Sequence, residues 1–141
     1  MEHPKVPPSS AMRFRARLAT RWSDEDNQRV LNNAVYLTLF EEARYRYFRG
    51  LLDANAFPFL LAQTNVVFLA PGAGGEELDA ECSTTHVGTT SFTQAYRLTE
   101  VASGRVLCEG EARLVCYDAK TRAKRPLDAA LRAAIETRER A

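Results

Sequence analysis

Hydrophobic positions along this chain change period from two to roughly 3.6, back to two, and to a helical period again near the end, and those changes divide it into elements. Residues 12–22 alternate, with Arg13, Arg15 and Arg17 set against Phe14, Ala16 and Leu18, the period-two signature of a half-exposed strand. Tyr36, Leu39, Phe40, Ala43, Tyr47 and Leu51 then recur three or four residues apart, predicting a long helix with one apolar face. Glu42, Arg44 and Arg46 are assigned to its other faces, and Glu42 precedes Arg46 in the favourable i,i+4 order. Asn32 and Asn33 stand just ahead of the pattern, where an Asn side chain accepts from unpaired helix amides. The helix is expected to end near residues 50–53, and Gly50, Asn55 and Pro58 break the pattern.

Alternation then returns. An apolar run over 59–69 is closed by Pro71-Gly72-Ala73-Gly74-Gly75. Residues 77–86 carry Leu78, Ala80, Cys82 and Thr84 on one face, and 91–99 carry Phe92, Gln94, Tyr96 and Leu98. An interruption or bulge is expected at Val87-Gly88-Thr89. Residues 106–117 alternate again, and with 91–99 they read as a long hairpin turning at Ala102-Ser103-Gly104. A charged turn over 118–125 leads to a short helix that opens at Pro126, with Leu127, Leu131, Ala134 and Ile135 as its stripe. Strand, long helix and then several antiparallel strands make an α+β protein, a single sheet wrapped around one long central helix. Such a sheet leaves edges to cover, which points to pairing with a second copy, as a homodimer or homotetramer.

Composition narrows the picture. The chain has 141 residues, 45% apolar and 26% charged, ordinary for one globular domain. Its formal net charge of +1 offers nothing to nucleic acid or to an acidic membrane. No apolar run reaches the roughly 20 residues of a membrane span. Residues 1–11 are Pro- and Ser-rich without an apolar signal core and are expected to be a disordered tail, with the folded domain over 12–141. A cytoplasmic protein is the expectation. Cys82, Cys108 and Cys116 are widely spaced, and His3 and His86 are the only histidines, so the expectation is buried thiols and no metal site.

Between the first strand and the helix stands Asp24-Glu25-Asp26-Asn27-Gln28-Arg29-Val30-Leu31-Asn32-Asn33-Ala34-Val35-Tyr36, followed by Leu37, Phe40, Glu41, Ala43 and Arg44. This run resembles the signature of the 4-hydroxybenzoyl-CoA thioesterase-like family of hot-dog proteins, and the likeness extends over about residues 12–136. Arg29 and Val30 depart from it, since the family has glycine and commonly histidine there.

The resemblance implies a hot-dog fold and an acyl-CoA thioesterase, hydrolysing an acyl-CoA or acyl-carrier thioester to a carboxylic acid and free thiol. It implies no cofactor and no metal. It makes Asp26 the catalytic carboxylate, as nucleophile or general base, and the Asn33 backbone amide the oxyanion donor. Asn32 and Tyr36 would line the substrate site, with Glu41 as a reserve carboxylate. Arg97, Arg113, Lys124 and Arg125 are the cations available to CoA phosphates, Arg97 and Arg125 foremost. From spacing alone, Asp26 also fits a turn, Asn32 and Asn33 helix capping, Tyr36 core packing and Glu41 a surface pair with Arg44. A hot-dog protein that binds acyl-CoA without turnover is the alternative. A hydratase would want an Asp/His pair, and this loop has no His.

Overall fold

The computed structural model describes residues 1–53 and 57–140. In chain order it has β1 (Phe14–Ala19), α1 (Asn33–Phe48), β2 (Phe59–Phe68), β3 (Glu77–Val87), β4 (Ser91–Glu100), β5 (Val106–Asp118), β6 (Ala123–Lys124) and α2 (Ala129–Arg140). The antiparallel sheet runs β1-β3-β4-β5-β2, with the two-residue β6 added to β5. Its concave face wraps α1, as the period change requires. The helix break expected at Asn55 lies outside the described residues.

α1 buries Tyr36, Leu39, Phe40, Ala43, Tyr47 and Phe48 against Leu78, Ala80 and Cys82 of β3, Phe92, Tyr96 and Leu98 of β4, and Cys108, Ala112 and Leu114 of β5. Each large side chain fully removed from water contributes roughly 1.5–3 kcal/mol. At the centre, Phe40 stacks on Tyr96 with ring centroids 4.8 Å apart. The sheet admits Phe40 because residue 110 is glycine: a Cβ there would sit 2.6 Å from the Phe40 ring. All three cysteines are free and buried, and burial raises each thiol pKa, that of Cys108 to about 12. They are packing groups, as expected.

Two expectations need correction, and a third, the interruption or bulge at Val87-Gly88-Thr89, is met as an interruption. Arg44 belongs to the buried stripe and is only 8% exposed. Its Nη1 donates to Tyr96 Oη (2.8 Å), and Tyr96 donates in turn to Gln94 Oε1 (2.7 Å). The irregularity near Gly88 is the turn between β3 and β4, and the register shift itself falls between Thr84 and His86. Residues 1–11 are not a free tail. They cross the convex face of the sheet from β2 to β3, where Asn65 donates to the Glu2 carbonyl, the Lys5 amide to Glu111, Arg97 to the Pro7 carbonyl (2.7 Å), and Ser9 to Glu81 (3.0 Å). Prolines suit such a strap, because their fixed φ keeps it extended and they leave no amide to satisfy.

α2 packs against α1 and β3. Glu139 accepts from Tyr47 Oη (2.6 Å), Ser83 Oγ (3.1 Å) and the Thr84 amide (3.0 Å). Replacing it with Ala leaves three polar groups without this acceptor at a part-buried site. Glu139→Ala is therefore expected to lower unfolding free energy by about 2–4 kcal/mol in a urea titration. A loss below about 0.5 kcal/mol would mean that α2 is not anchored there.

Candidate active site

The loop from Arg21 to Asn32 is built by its own carboxylates. Trp22–Asp24 forms a single 3-10 turn in which buried Asp24 accepts from the Arg21 amide and guanidinium, both at 2.8 Å. The Asp24 carbonyl takes the Asn32 amide (2.9 Å), and Glu25 Oε2 takes the Gly74 amide (2.8 Å). Leu31 donates to the Gly72 carbonyl (3.0 Å), so the loop is clamped to the 72–74 segment from both sides. The approach at Gly74 is close enough to demand glycine, since a Cβ would lie 2.5 Å from the Arg21 carbonyl oxygen.

Two aspartates two residues apart thus have different duties. Asp24 is consumed by the fold. Its hydrogen bond from the Arg21 side chain holds its pKa below the usual carboxylate range, against the opposing push of burial. Asp26 is half-buried and makes no ion pair among the described residues. Its Oδ1 accepts from the Gln28 amide (2.8 Å), its own amide donates to the Val30 carbonyl (2.9 Å), and its carbonyl takes the Arg29 amide (3.0 Å). Arg29, where the resemblance has glycine, adopts the left-handed conformation itself, with φ 61°. That costs an ordinary side chain roughly 1–2 kcal/mol.

The loop delivers the start of α1. Asn32 is the N-cap, its Oδ1 accepting from the Ala34 amide (2.9 Å) and its carbonyl from the Val35 amide (2.9 Å). The Asn33 amide is left without an acceptor among the described residues, at the positive end of a 16-residue helix. Asn33 and Tyr36 line a hollow of about 260 Å³ with Val30, Phe68, Leu69 and Pro71. Tyr36 is buried, its ring 5.3 Å from that of Phe68. Burial raises its phenol pKa, so it serves as a neutral wall. Asp26 is not part of this lining.

The cations proposed for phosphate divide sharply. Arg97 is buried beneath the N-terminal strap, with Nη2 2.7 Å from Glu109 and Nη1 3.9 Å from Glu81, so it is not a surface cation. Arg125 is half-buried before α2, 3.7 Å from Asp128. Neither lines the hollow beside Asn33. Arg113 and Lys124 are exposed, Arg113 near Gln63 and Asn65 on the β5–β2 side. Glu41 is exposed and forms no ion pair with Arg44 among the described residues, contrary to the expected surface pair. Among the described residues, no group of three His, Cys, Asp or Glu side chains could hold a metal.

A wrapped helix and a carboxylate loop at its N-terminus define a hot-dog protein of thioester-hydrolase class. The sequence pattern of the Thioesterase-like superfamily matches residues 20–135, and the chain belongs to that superfamily. No curated protein sequence matches it. Among solved structures, it is similar to a thioesterase complexed with coenzyme A and Zn from Thermus thermophilus, with TM-score 0.83, 29% identity, and coverage of 93% of this chain and 98% of that one. It is also similar to Slr0204, a 1,4-dihydroxy-2-naphthoyl-CoA thioesterase from Synechocystis (TM-score 0.79, 22% identity, 86% and 94% covered). A third is YbaW, a probable thioesterase from Escherichia coli (TM-score 0.74, 22% identity, 88% and 97% covered). The last two likenesses are of fold.

The Asp24 pKa gives a pH prediction. Because the folded value is depressed, its contribution is present above the unfolded value of about 3.9 and is lost as pH falls through the folded one. Asp24→Asn should cost about 1 kcal/mol at pH 7 and progressively less below about pH 4. Urea titrations at neutral and acid pH read the gap, and a gap of equal size at about pH 3 would contradict the pairing.

Proposed function

We propose that this chain hydrolyses acyl-CoA thioesters with Asp26 as the reacting carboxylate and the Asn33 amide as the oxyanion donor. One observation carries the assignment. Neither Glu25 nor Asp26 has a cation partner among the described residues, but Glu25 is taken up by the Gly74 amide. That leaves Asp26, held by the Gln28 amide and a turn, as the loop carboxylate not used to clamp the loop, in the segment that leads to a helix start whose first amide is free. The thioester carbonyl oxygen would accept from the Asn33 amide, where the helix dipole favours developing negative charge. Water adds to the carbonyl carbon, the C–S bond breaks, and the thiolate leaves and takes up a proton. Asp26 either accepts the water proton or adds first and forms an anhydride that water then opens; single turnover in labelled water separates the two by placing label in Asp26.

The acting unit in this reading is a homodimer joined along β2. That ten-residue strand is an unpaired sheet edge, and Leu60, Leu61 and Phe68 on it are exposed, as is the adjoining Leu69. A second copy there would wall the hollow beside Asn33 and bring groups that one chain does not place in it. The same reading puts the enzyme in the cytoplasm; no described helix is long and apolar enough to cross a membrane.

Free-thiol release from short, long and aromatic acyl-CoAs tests the activity. Asp26→Asn is expected to lower kcat by about 10²–10⁴ with the unfolding midpoint unchanged. A folded mutant that turns over near the wild-type rate would overturn the role of Asp26. Saturable acyl-CoA binding without thiol release would make this a binding protein instead. Light scattering should give twice the chain mass, and a monomer would remove the β2 interface.

A further inference from the structure

We infer that the cleft between α1 and β2 is a subsite for acyl groups ending in a carboxylate, with Arg44 as its anchor. The inference rests on the thioesterase reading above and names its substrate class.

Arg44 carries a fixed charge and five donors, yet it makes one hydrogen bond among the described residues, to the neutral Tyr96 hydroxyl. No carboxylate lies within ion-pair distance of it among those residues, although only 8% of it is exposed to solvent. No fully buried side-chain nitrogen or oxygen among the described residues lacks a partner. The remaining guanidinium nitrogens are therefore not sealed in the core. Arg44 lines two adjoining hollows of about 300 and 120 Å³, which share Glu41 and Leu61. The larger is walled by Tyr45, Phe57, Phe59 and Leu114, an apolar sleeve with one cation in its floor.

The cation is also held in place. Tyr96 Oη accepts from Arg44 and gives its proton to Gln94 (2.7 Å); Gln94 donates to Thr84 (3.2 Å), and Thr84 to Tyr47 (2.9 Å). Tyr47 donates to Glu139 (2.6 Å) at the far end. Every hydroxyl on this path has its proton assigned, so Arg44 cannot easily swing away to water. Such preorganisation suits recognition better than it suits stability, because an unpaired buried charge is costly and an anion is what relieves it. A carboxylate can accept two parallel bonds from a guanidinium, which the single Tyr96 hydroxyl cannot. Glu41 at the mouth has the same sign as the ligand, but it is exposed and screened by solvent.

Position sets length. Arg44 Nη1 bonds Tyr96, whose ring stacks on Phe40 one turn back along α1. The guanidinium therefore lies toward the helix N-terminus, roughly 12 Å along the axis from Asn33, the reach of an extended acyl chain of about eight to ten carbons.

Thiol release from suberoyl- and sebacoyl-CoA, compared with octanoyl- and decanoyl-CoA, decides the matter. The wild type is expected to favour the carboxylate-ended chains at least about tenfold in kcat/KM, mainly through KM. Arg44→Met should abolish the preference and Arg44→Lys should restore part of it, with thermal unfolding as the check on folding. An absent or reversed wild-type preference overturns the subsite, and is also the result expected if a second copy supplies an acid to Arg44. A preference that survives in folded Arg44→Met overturns it too. Should Arg44→Met not fold, the wild-type ratio and Arg44→Gln decide: removing the charge while keeping a hydrogen-bond donor must cut the preference, and an unchanged ratio counts against the subsite. If no thioester is hydrolysed, the activity reading fails by itself and the same thioesters become stable ligands. Calorimetry then supports the subsite if suberoyl-CoA binds at least about tenfold tighter than octanoyl-CoA, and rejects it if the two bind alike.

Discussion

The contact between Phe40 and the sheet at Gly110 is the constraint on which the rest of this structure depends. α1 can lie in the sheet's concavity only where strand β5 presents no side chain, and Gly110 supplies that gap beneath the Phe40 ring. The stacked Tyr96 ring sits beside it and fixes the helix laterally. Once α1 is seated, its N-terminus has one place to be, and the Arg21–Asn32 loop must reach it while clamped at Gly72 and Gly74. The free Asn33 amide is thus positioned by packing some two helical turns away. A core contact sets the geometry of the candidate chemistry.

The core does not consist of apolar side chains alone. A path of hydrogen bonds from Arg44 through Tyr96, Gln94, Thr84 and Tyr47 to Glu139 threads between α1, the sheet and α2. A network of this kind is tolerable only when each member is paired, and among the described residues no fully buried polar side-chain atom is left without a partner. It ties the two helices to β3 and β4 through directional contacts. Apolar packing would accept small rotations of α1; these bonds would not.

Much of this was legible in the sequence, and the failures have physical causes. Alternation located β1, β3, β4 and β5 because each has one face on the core, and Asn32 was readable as a cap because its side chain serves only the local amides. Arg44 is read onto another face of the helix, although its spacing from Tyr36, Phe40 and Tyr47 places it on the buried stripe. Arg97 reads as a cation for CoA phosphates because a guanidinium fork suits phosphate, but it lies on the convex side of β4, where the strap covers it. No local signal reports that strap, since Pro and Ser without apolar partners read as disorder, and what orders them is polar groups far away in sequence. At two residues, β6 is too short to show any period. The loop signature was recognisable as a family pattern, whereas the division of labour between Asp24 and Asp26 needed coordinates. Both are short acids in a turn, and only the Arg21 contacts separate them.

Strand β2 brings these threads together. It pairs with β5 on one side only, and it is exposed along most of its length. A long apolar edge is a hazard that proteins ordinarily bulge, charge or cover. β2 has one register shift, between Leu61 and Gln63, and no charged residue at all. Nothing in its sequence defends it against pairing. The two hollows that hold Arg44 and the hollow beside Asn33 all open along that same strand. The chain therefore leaves uncovered the one edge that borders both the free Asn33 amide and the buried cation. Covering β2 would protect the edge and enclose the cleft in a single step. Folding and chemistry thus make the same demand on this strand, and that is the physical reason to expect the working site between chains and not within one.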